Sequence, residues 1–194
     1  MTPGDDDAAL MVRVKRGDRA AFRTLVERHQ RAVINTIHRS IGDAWEAEDL
    51  AQRVFVQVYR AARRYQPTAK FTTWLFTIVQ NTIRNEYRRR SRHPAESLDA
   101  LQEPAPDDSA GHREFPDLTA IDPARAAAER ELQQKIHAAI AELPEQQRTA
   151  VILCRFEGLA YEEIAHVLRC SVPAVKSLLH RARVELKEKL RGWY

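Results

Sequence analysis

The chain has 194 residues, 31 Lys+Arg against 27 Asp+Glu and a formal net charge of +4, a length that allows one domain or two small ones. A hydrophobic content of 44% is enough for a core, and 6 Gly with 9 Pro exclude collagenous and wholly disordered classes. Two cysteines exclude a disulfide scaffold and suit a reducing cytosol, no apolar run approaches the roughly 20 residues that span a bilayer, and the acidic start MTPGDDDAAL lacks a signal peptide's apolar stretch, so a cytoplasmic protein without membrane insertion is expected.

Charge divides the chain in three. Residues 1–92 hold 18 basic and 10 acidic side chains, residues 93–130 hold 3 and 9, and residues 131–194 hold 10 and 8. The middle part also carries Pro94, Pro104, Pro106, Pro116 and Pro123, and the stretch EPAPDDSAGH has few large apolar residues. Such a composition does not repay its own ordering entropy, which predicts a flexible acidic linker over 93–128. It separates a basic N-terminal domain, 1–92, from a mildly basic C-terminal one, 129–194.

Helical spacing predicts both domains. Ala21–Ser40 offers Phe22, Leu25, Val26, Val33 and Ile37 as core. Over Trp45–Tyr65, Leu50, Val54, Val58, Ala61 and Tyr65 recur at three and four, one face of a helix. QPTAK at 66–70 breaks the pattern. Phe71, Trp74, Leu75, Ile78 and Ile83 then carry a helix to Arg90. No alternating strand pattern appears, so the N-terminal domain is expected to be four helices. Beyond the linker, Glu129–Leu143 ends before Pro144, since a residue preceding proline disfavours the α region. Gln146–Phe156 stops at Gly158, Tyr161–Leu168 is short, and Val172–Leu190 begins after Ser171, a good N-cap. The expected fold class is all-α, two small helical domains joined by the linker.

The segment YEEIAHVLRCSVPAVKSLLHRARVEL reads as a helix-turn-helix or, more plainly, a helical hairpin with a solvated basic face. Val175 and Leu179 are placed to pack the second helix onto Ile164 and Leu168. Ser171, Ala174, Lys176, Ser177, His180 and Arg181 then lie near its outer face, where an exposed helix suits the major groove. Arg183 and Lys187 suit phosphates. Arg169 stands where such turns often hold glycine.

KFTTWLFTIVQNTIRNEYRRRSR interleaves Phe71, Trp74, Phe76 and Tyr87 with five arginines. Aromatics beside arginine suit unstacked DNA, because every base has a π face. Trp74 at helical spacing serves equally as core. No nucleotide-binding, zinc-protease or serine-hydrolase motif is present. His166 and Cys170 at i, i+4 supply two metal ligands where a structural zinc uses four. No catalysis, cofactor or metal is expected.

AEDLAQRVFVQVYRA, then FTTWLFTIVQNTIRNEYRRR, then LPEQQRTAVILCRFEGLAYEEIAHVL with VKSLLHRAR, resemble the extracytoplasmic-function (ECF) sigma factors of bacterial RNA polymerase, the two-domain class of the sigma-70 family. The resemblance runs from about Ala20 to Leu190. It implies a sigma subunit that binds core polymerase, reads and opens the −10 promoter element and binds the −35 element. It implies partners too: the polymerase β′ clamp helices and β flap, promoter DNA and an anti-sigma factor, with a monomer when free. The family's DLxQxxF helix, which docks on the clamp helices, falls on Asp49, Gln52, Arg53, Phe55, Val56 and Tyr59. Asp49, Gln52, Val56 and Tyr59 do lie on a face distinct from the Leu50–Val54–Val58 stripe, whereas Phe55 suits the core as well. The −10 element falls to Gln66, Lys70, Phe71, Trp74, Asn81, Arg84, Asn85, Arg88 and Arg89. The −35 element falls to Ser171, Ala174, Lys176, Ser177, His180, Arg181 and Arg183. Arg53, Asn85 and Leu178 depart from the family's usual acidic residue, Asp and Arg. The linker reads either as an acidic mimic of RNA within the polymerase or as a plain tether. The competing class is a dimeric helix-turn-helix regulator that never touches polymerase; a metal-dependent nuclease has only Asp43, Glu46, Glu48 and Asp49 as a dense acidic set.

Overall fold

The computed structural model describes residues 3–92 and 123–191. Among them are eight α-helices and no strand. The N-terminal domain contains α1 (Pro3–Lys15), α2 (Arg19–Ile41), α3 (Ala44–Ala61), a 3₁₀ turn (Ala62–Arg64) and α4 (Phe71–Arg92). The C-terminal domain contains α5 (Pro123–Ala141), α6 (Glu145–Arg155), α7 (Tyr161–Leu168) and α8 (Val172–Lys189).

The helix ends follow local chemistry. Asp18 accepts the Ala21 N–H at 3.0 Å and caps α2; that bond and the Arg13 guanidinium hold its carboxyl below the usual range. Gly42 ends α2 with φ +83°, a conformation that costs a side chain on the order of 1 kcal/mol. Asp43 immediately caps α3 by accepting the Glu46 N–H at 2.8 Å. Residues 93–122 of the expected linker lie outside the described residues. Residues 123–128 are helical: α5 starts six residues before the expected Glu129, because proline fits the first turn and ARAAAER is built from strong helix formers.

Leu25, Val33 and Ile37 of α2, Leu50, Val54 and Val58 of α3, and Leu75, Val79 and Ile83 of α4 are buried together. The same cluster continues through Leu153, Ile164, Leu168 and Val175, so the two domains share one apolar core. A smaller cluster of Ile140, Leu143, Val151, Ile152 and Ala182 ties α5, α6 and α8. Phe22 and Val26, expected in the core, are only partly buried and line a surface groove.

Candidate functional site

Three surfaces carry the expected site residues. The first lies on α2 and α3. Burying Leu50, Val54 and Val58 turns Gln52, Arg53, Val56 and Tyr59 outward, and all four are exposed. Between the two helices runs an apolar groove of about 910 Å³. Phe22, Val26 and Ile34 form its α2 wall, and Gln52, Phe55 and Val56 form its α3 wall. Tyr59 closes it with its ring 5.0 Å from Phe22. Phe55 is half-buried, serving both core and groove. Arg53 pairs with Asp49 at 2.7 Å along the helix, so the unusual arginine neutralises the aspartate beside it. The α2 wall escaped the sequence reading because helical spacing marks apolar residues without telling core from an open groove.

The second surface is α4 with its preceding loop. Gln66 and Lys70 are exposed, as are Asn85, Arg88 and Arg89 along the last turns. Asn85, Arg88, Arg89 and Arg92 line a shallow cationic pocket. Arg89 is bound to Glu86 at 2.9 Å, and Arg90 reaches Glu46, which fixes the end of α4 against the start of α3. Trp74 is half-buried, edge-on to Tyr65 with centroids 5.0 Å apart. Phe71 corrects the sequence reading. Its ring is only 1% exposed, packed 5.2 Å from His29 and 5.8 Å from Trp74. A ring so enclosed offers no face to a base; it is a pillar of the core beneath the loop.

The third surface is the helix-turn-helix of α7 and α8. Val175 is fully buried, and Leu179 is partly buried against the core, as the spacing predicted. Ser171 accepts the Ala174 N–H at 3.3 Å and caps α8. Arg169 itself takes the left-handed conformation, φ 55°, ψ 47°, and its N–H bonds back to α7. Lys176, Ser177, His180, Arg181 and Arg183 are all exposed, with Ala174 half-exposed at the helix entrance.

The C-terminal domain packs onto α2 and α4, an arrangement that sequence spacing did not reveal. Glu163 of α7 accepts from Thr73 at 3.1 Å and pairs with Lys70 at 3.2 Å, while its other oxygen takes the Ala160 N–H at 2.8 Å. Burial alone raises the Glu163 carboxyl; those three partners outweigh it and hold it below the ordinary range. Glu157 accepts from Thr36 at 2.7 Å. There burial dominates and pushes the carboxyl up. Arg148 of α6 donates to the Ser40 carbonyl at 2.6 Å, to Tyr87 Oη at 3.0 Å and to the Leu143 carbonyl at 3.1 Å. Arg39 lies 4.1 Å over the Phe156 ring, and Arg84 approaches Glu145 at 3.9 Å. Thr73 and Gln80 of α4 are thereby buried, and Asn81 and Arg84 half-buried. The α8 face stays open while one side of α4 is covered.

Among the described residues no group of three or more His, Cys, Asp or Glu is placed to hold a metal ion, and no helix is long and apolar enough to cross a membrane. Cys154 and Cys170 are free thiols, both half-buried against the core.

One helical unit thus carries an apolar groove beside a basic helix, and the other is a helix-turn-helix. Family models agree: Sigma-70 region 2 matches residues 25–93, and Sigma-70, region 4 matches residues 133–186. The RNA polymerase sigma-H factor of Pseudomonas aeruginosa is 38% identical over 191 residues, 98% of this chain and 97% of that one. The ECF RNA polymerase sigma-E factor of Escherichia coli K12 is 32% identical over 186 residues, 95% and 94% of the two chains. Among solved structures, CnrH in complex with the cytosolic domain of CnrY is 27% identical with a TM-score of 0.68, covering 95% of this chain and 97% of that one. The sigma factor RpoE in complex with the anti-sigma factor NepR, from Bartonella quintana, has a TM-score of 0.66 at 23% identity, covers 88% of this chain and 97% of that one, and shares the fold. The chain is a promoter-directing sigma factor of the sigma-70 family. Within that family it belongs to the ECF sigma factors.

Proposed function

We propose that this sigma factor, acting in the cytoplasm, docks on core RNA polymerase through the α2–α3 groove and reads two promoter elements with its two domains. Asp49, Gln52, Arg53, Phe55, Val56 and Tyr59 form the polymerase-facing wall on α3, opposite Phe22, Val26 and Ile34. Gln66, Lys70, Trp74, Asn81, Arg84, Asn85, Arg88 and Arg89 engage the −10 element. The loop at 66–70 accepts an extruded base, whose unstacking costs a few kcal/mol and is offset by capture. Ser171, Ala174, Lys176, Ser177, His180, Arg181 and Arg183 meet the −35 duplex, where α8 enters the major groove N-terminus first. Residues 1–92 and 123–194 act as the two reading units, with 93–122 between them. The protein contributes specificity and strand opening, and the polymerase performs the chemistry. An anti-sigma factor is its inhibitory partner, as the sigma factor RpoE of the same fold is bound by the anti-sigma factor NepR.

The observation that carries this reading is the separation of an apolar groove from two basic faces on one small chain. The groove suits a protein partner, and the arginine-lined end of α4 and the open face of α8 suit phosphate and bases. The two domains touch along α4, so engaging both elements requires α6 and α7 to leave Thr73, Gln80 and Arg84. Transcription with purified core polymerase and a pool of genomic promoter fragments tests the proposal. New start sites that require this protein, with two shared upstream elements, are expected. DNA binding as a dimer, without association with polymerase and without new starts, would replace it with the regulator reading.

A further inference from the structure

Helix α1 carries polar contacts that its packing does not need. Leu10, Met11 and Val14 are buried and already hold it against the bundle. Asp7 is buried beside them, and among the described residues the only other buried acid is Glu86. Glu86 is bound by Arg89 and Arg90 at the end of its own helix, α4. Asp7 instead holds two side chains of α2. Arg28 donates to its Oδ1 at 2.8 Å, and His29 Nε2 donates to its Oδ2 at 2.8 Å. A buried carboxylate offsets its desolvation only through well-placed partners, so such a set adds little stability while constraining how those partners sit.

The side chain that Asp7 constrains leads to the loop at 66–70. The His29 ring lies 5.2 Å from that of Phe71, the residue that follows the loop. Phe71 in turn lies 5.8 Å from Trp74 and 6.4 Å from Tyr65, the residue that precedes the loop. Tyr65 and Phe71 are 2% and 1% exposed, whereas every residue from Gln66 to Lys70 is exposed. Helix α1 reaches the Tyr65 end as well, because Lys15 Nζ donates to the Tyr65 carbonyl at 3.1 Å. The Tyr65 hydroxyl is buried without a partner, and burial first, then the nearby Asp7 charge, pushes its ionisation up. Asp7, Met11 and Lys15 follow at four-residue spacing along α1, with the fully buried Met11 between the two polar contacts. One stripe of α1 therefore pins both ends of a short loop, and a short loop pinned at both ends has few conformations left to it.

We propose that Asp7 and Lys15 are positioning residues for promoter opening. Asp7 acts through His29 and Phe71, and Lys15 acts through the Tyr65 carbonyl, to hold the 66–70 loop in the shape that receives the extruded base. The inference rests on the reading of that loop as the one that captures the base. It gives α1 a part in strand opening without DNA contact, although α1 lies before the residues matched by the region 2 model and outside the three site surfaces.

The test is the rate of promoter opening by holoenzyme, read by 2-aminopurine fluorescence in the −10 strand of a promoter whose start site requires this protein. An abasic site moved through that strand locates the extruded base. Asp7→Ala and Lys15→Met should each slow opening about tenfold on the intact promoter, the effect of losing one hydrogen bond to a charged group. Asp7→Asn should recover most of the rate, because its amide still accepts from Arg28 and donates to His29. On the promoter lacking the extruded base, all three variants should match the unaltered protein, since the loop has nothing to capture. Equal slowing on both promoters would report a general loss of fold and overturn the inference; so would an unchanged rate on the intact one. Lys15 is exposed, so Lys15→Met decides the matter if Asp7→Ala releases α1 and weakens polymerase binding. If the unaltered protein is indifferent to every abasic site, the reading of the loop falls and the inference falls with it.

Discussion

Arg148 is the joint between the domains, and Arg148→Met removes it while keeping the side chain's length and apolar stem. Its guanidinium makes two hydrogen bonds across the interface, to the Ser40 carbonyl at 2.6 Å and Tyr87 Oη at 3.0 Å, and lies 5.7 Å from the centre of the Tyr87 ring. Bonds to a charged donor contribute about 1.5–3 kcal/mol each. Against them stands Arg148 Nε, buried without a partner, a defect of about 1–3 kcal/mol that methionine relieves. The Tyr87 hydroxyl also donates to the Ser40 carbonyl, so that oxygen keeps one partner after the substitution. The expected net loss is about 3 kcal/mol, a shift of roughly 100-fold in any equilibrium that separates the domains. Urea unfolding followed by circular dichroism reads the loss, and X-ray scattering in solution reads an increase in radius of gyration. A stability loss below about 1 kcal/mol with an unchanged radius would refute the assignment of Arg148 as the interdomain joint.

Glu157 predicts a pH dependence. Its carboxyl is raised above 4.5, chiefly by burial, so the folded state binds its proton more tightly than the unfolded chain does. The stability it contributes is full below the ordinary glutamate range and is lost as pH rises through the raised value. Glu157→Gln should flatten the melting temperature between pH 4.5 and neutrality and raise it at pH 7, and an unchanged pH profile would contradict this. Arg88→Ala with Arg89→Ala should weaken promoter opening and reduce the salt slope of holoenzyme binding by up to about 1.8, or about 0.9 for each phosphate no longer neutralised. An identical slope would remove both residues from the DNA interface. Arg169 sits at φ 55°, which costs on the order of 1 kcal/mol. Arg169→Gly should stabilise the C-terminal domain by up to that amount, measured by thermal unfolding, and a fall in stability would show that the arginine makes interactions worth more than its strain.

The separate elements were legible because local rules decide them. The period of Leu50, Val54 and Val58 set the buried face of α3 and therefore turned Gln52 and Val56 outward. Ser171 acted as the cap its side chain suits, and Val175 and Leu179 carried α8 onto α7. The resemblance in the three motifs supplied the family, which the relatives bear out. Where several elements meet, spacing was silent. Phe71 has the same place in the helical repeat whether its ring meets a base or the core; only the approach of His29, Tyr65 and Trp74 encloses it. Phe22 and Val26 carry an apolar signature that fits both a core and an open groove.

The sequence by itself determined that this protein is all-α, that its charged middle divides two helical units, and that α8 presents a basic outer face. Those features depend on neighbours within a few turns of one helix, or on composition alone. Only the tertiary structure decided that α2 and α3 leave a groove between them, and that Glu157, Glu163 and Arg148 fasten the C-terminal domain onto α2 and one side of α4. Thr36 and Glu157 are 121 positions apart, and Tyr87 and Arg148 are 61 apart. Such pairs are made by the docking of whole helices, whose burial of shared apolar surface brings together polar groups that no local pattern relates.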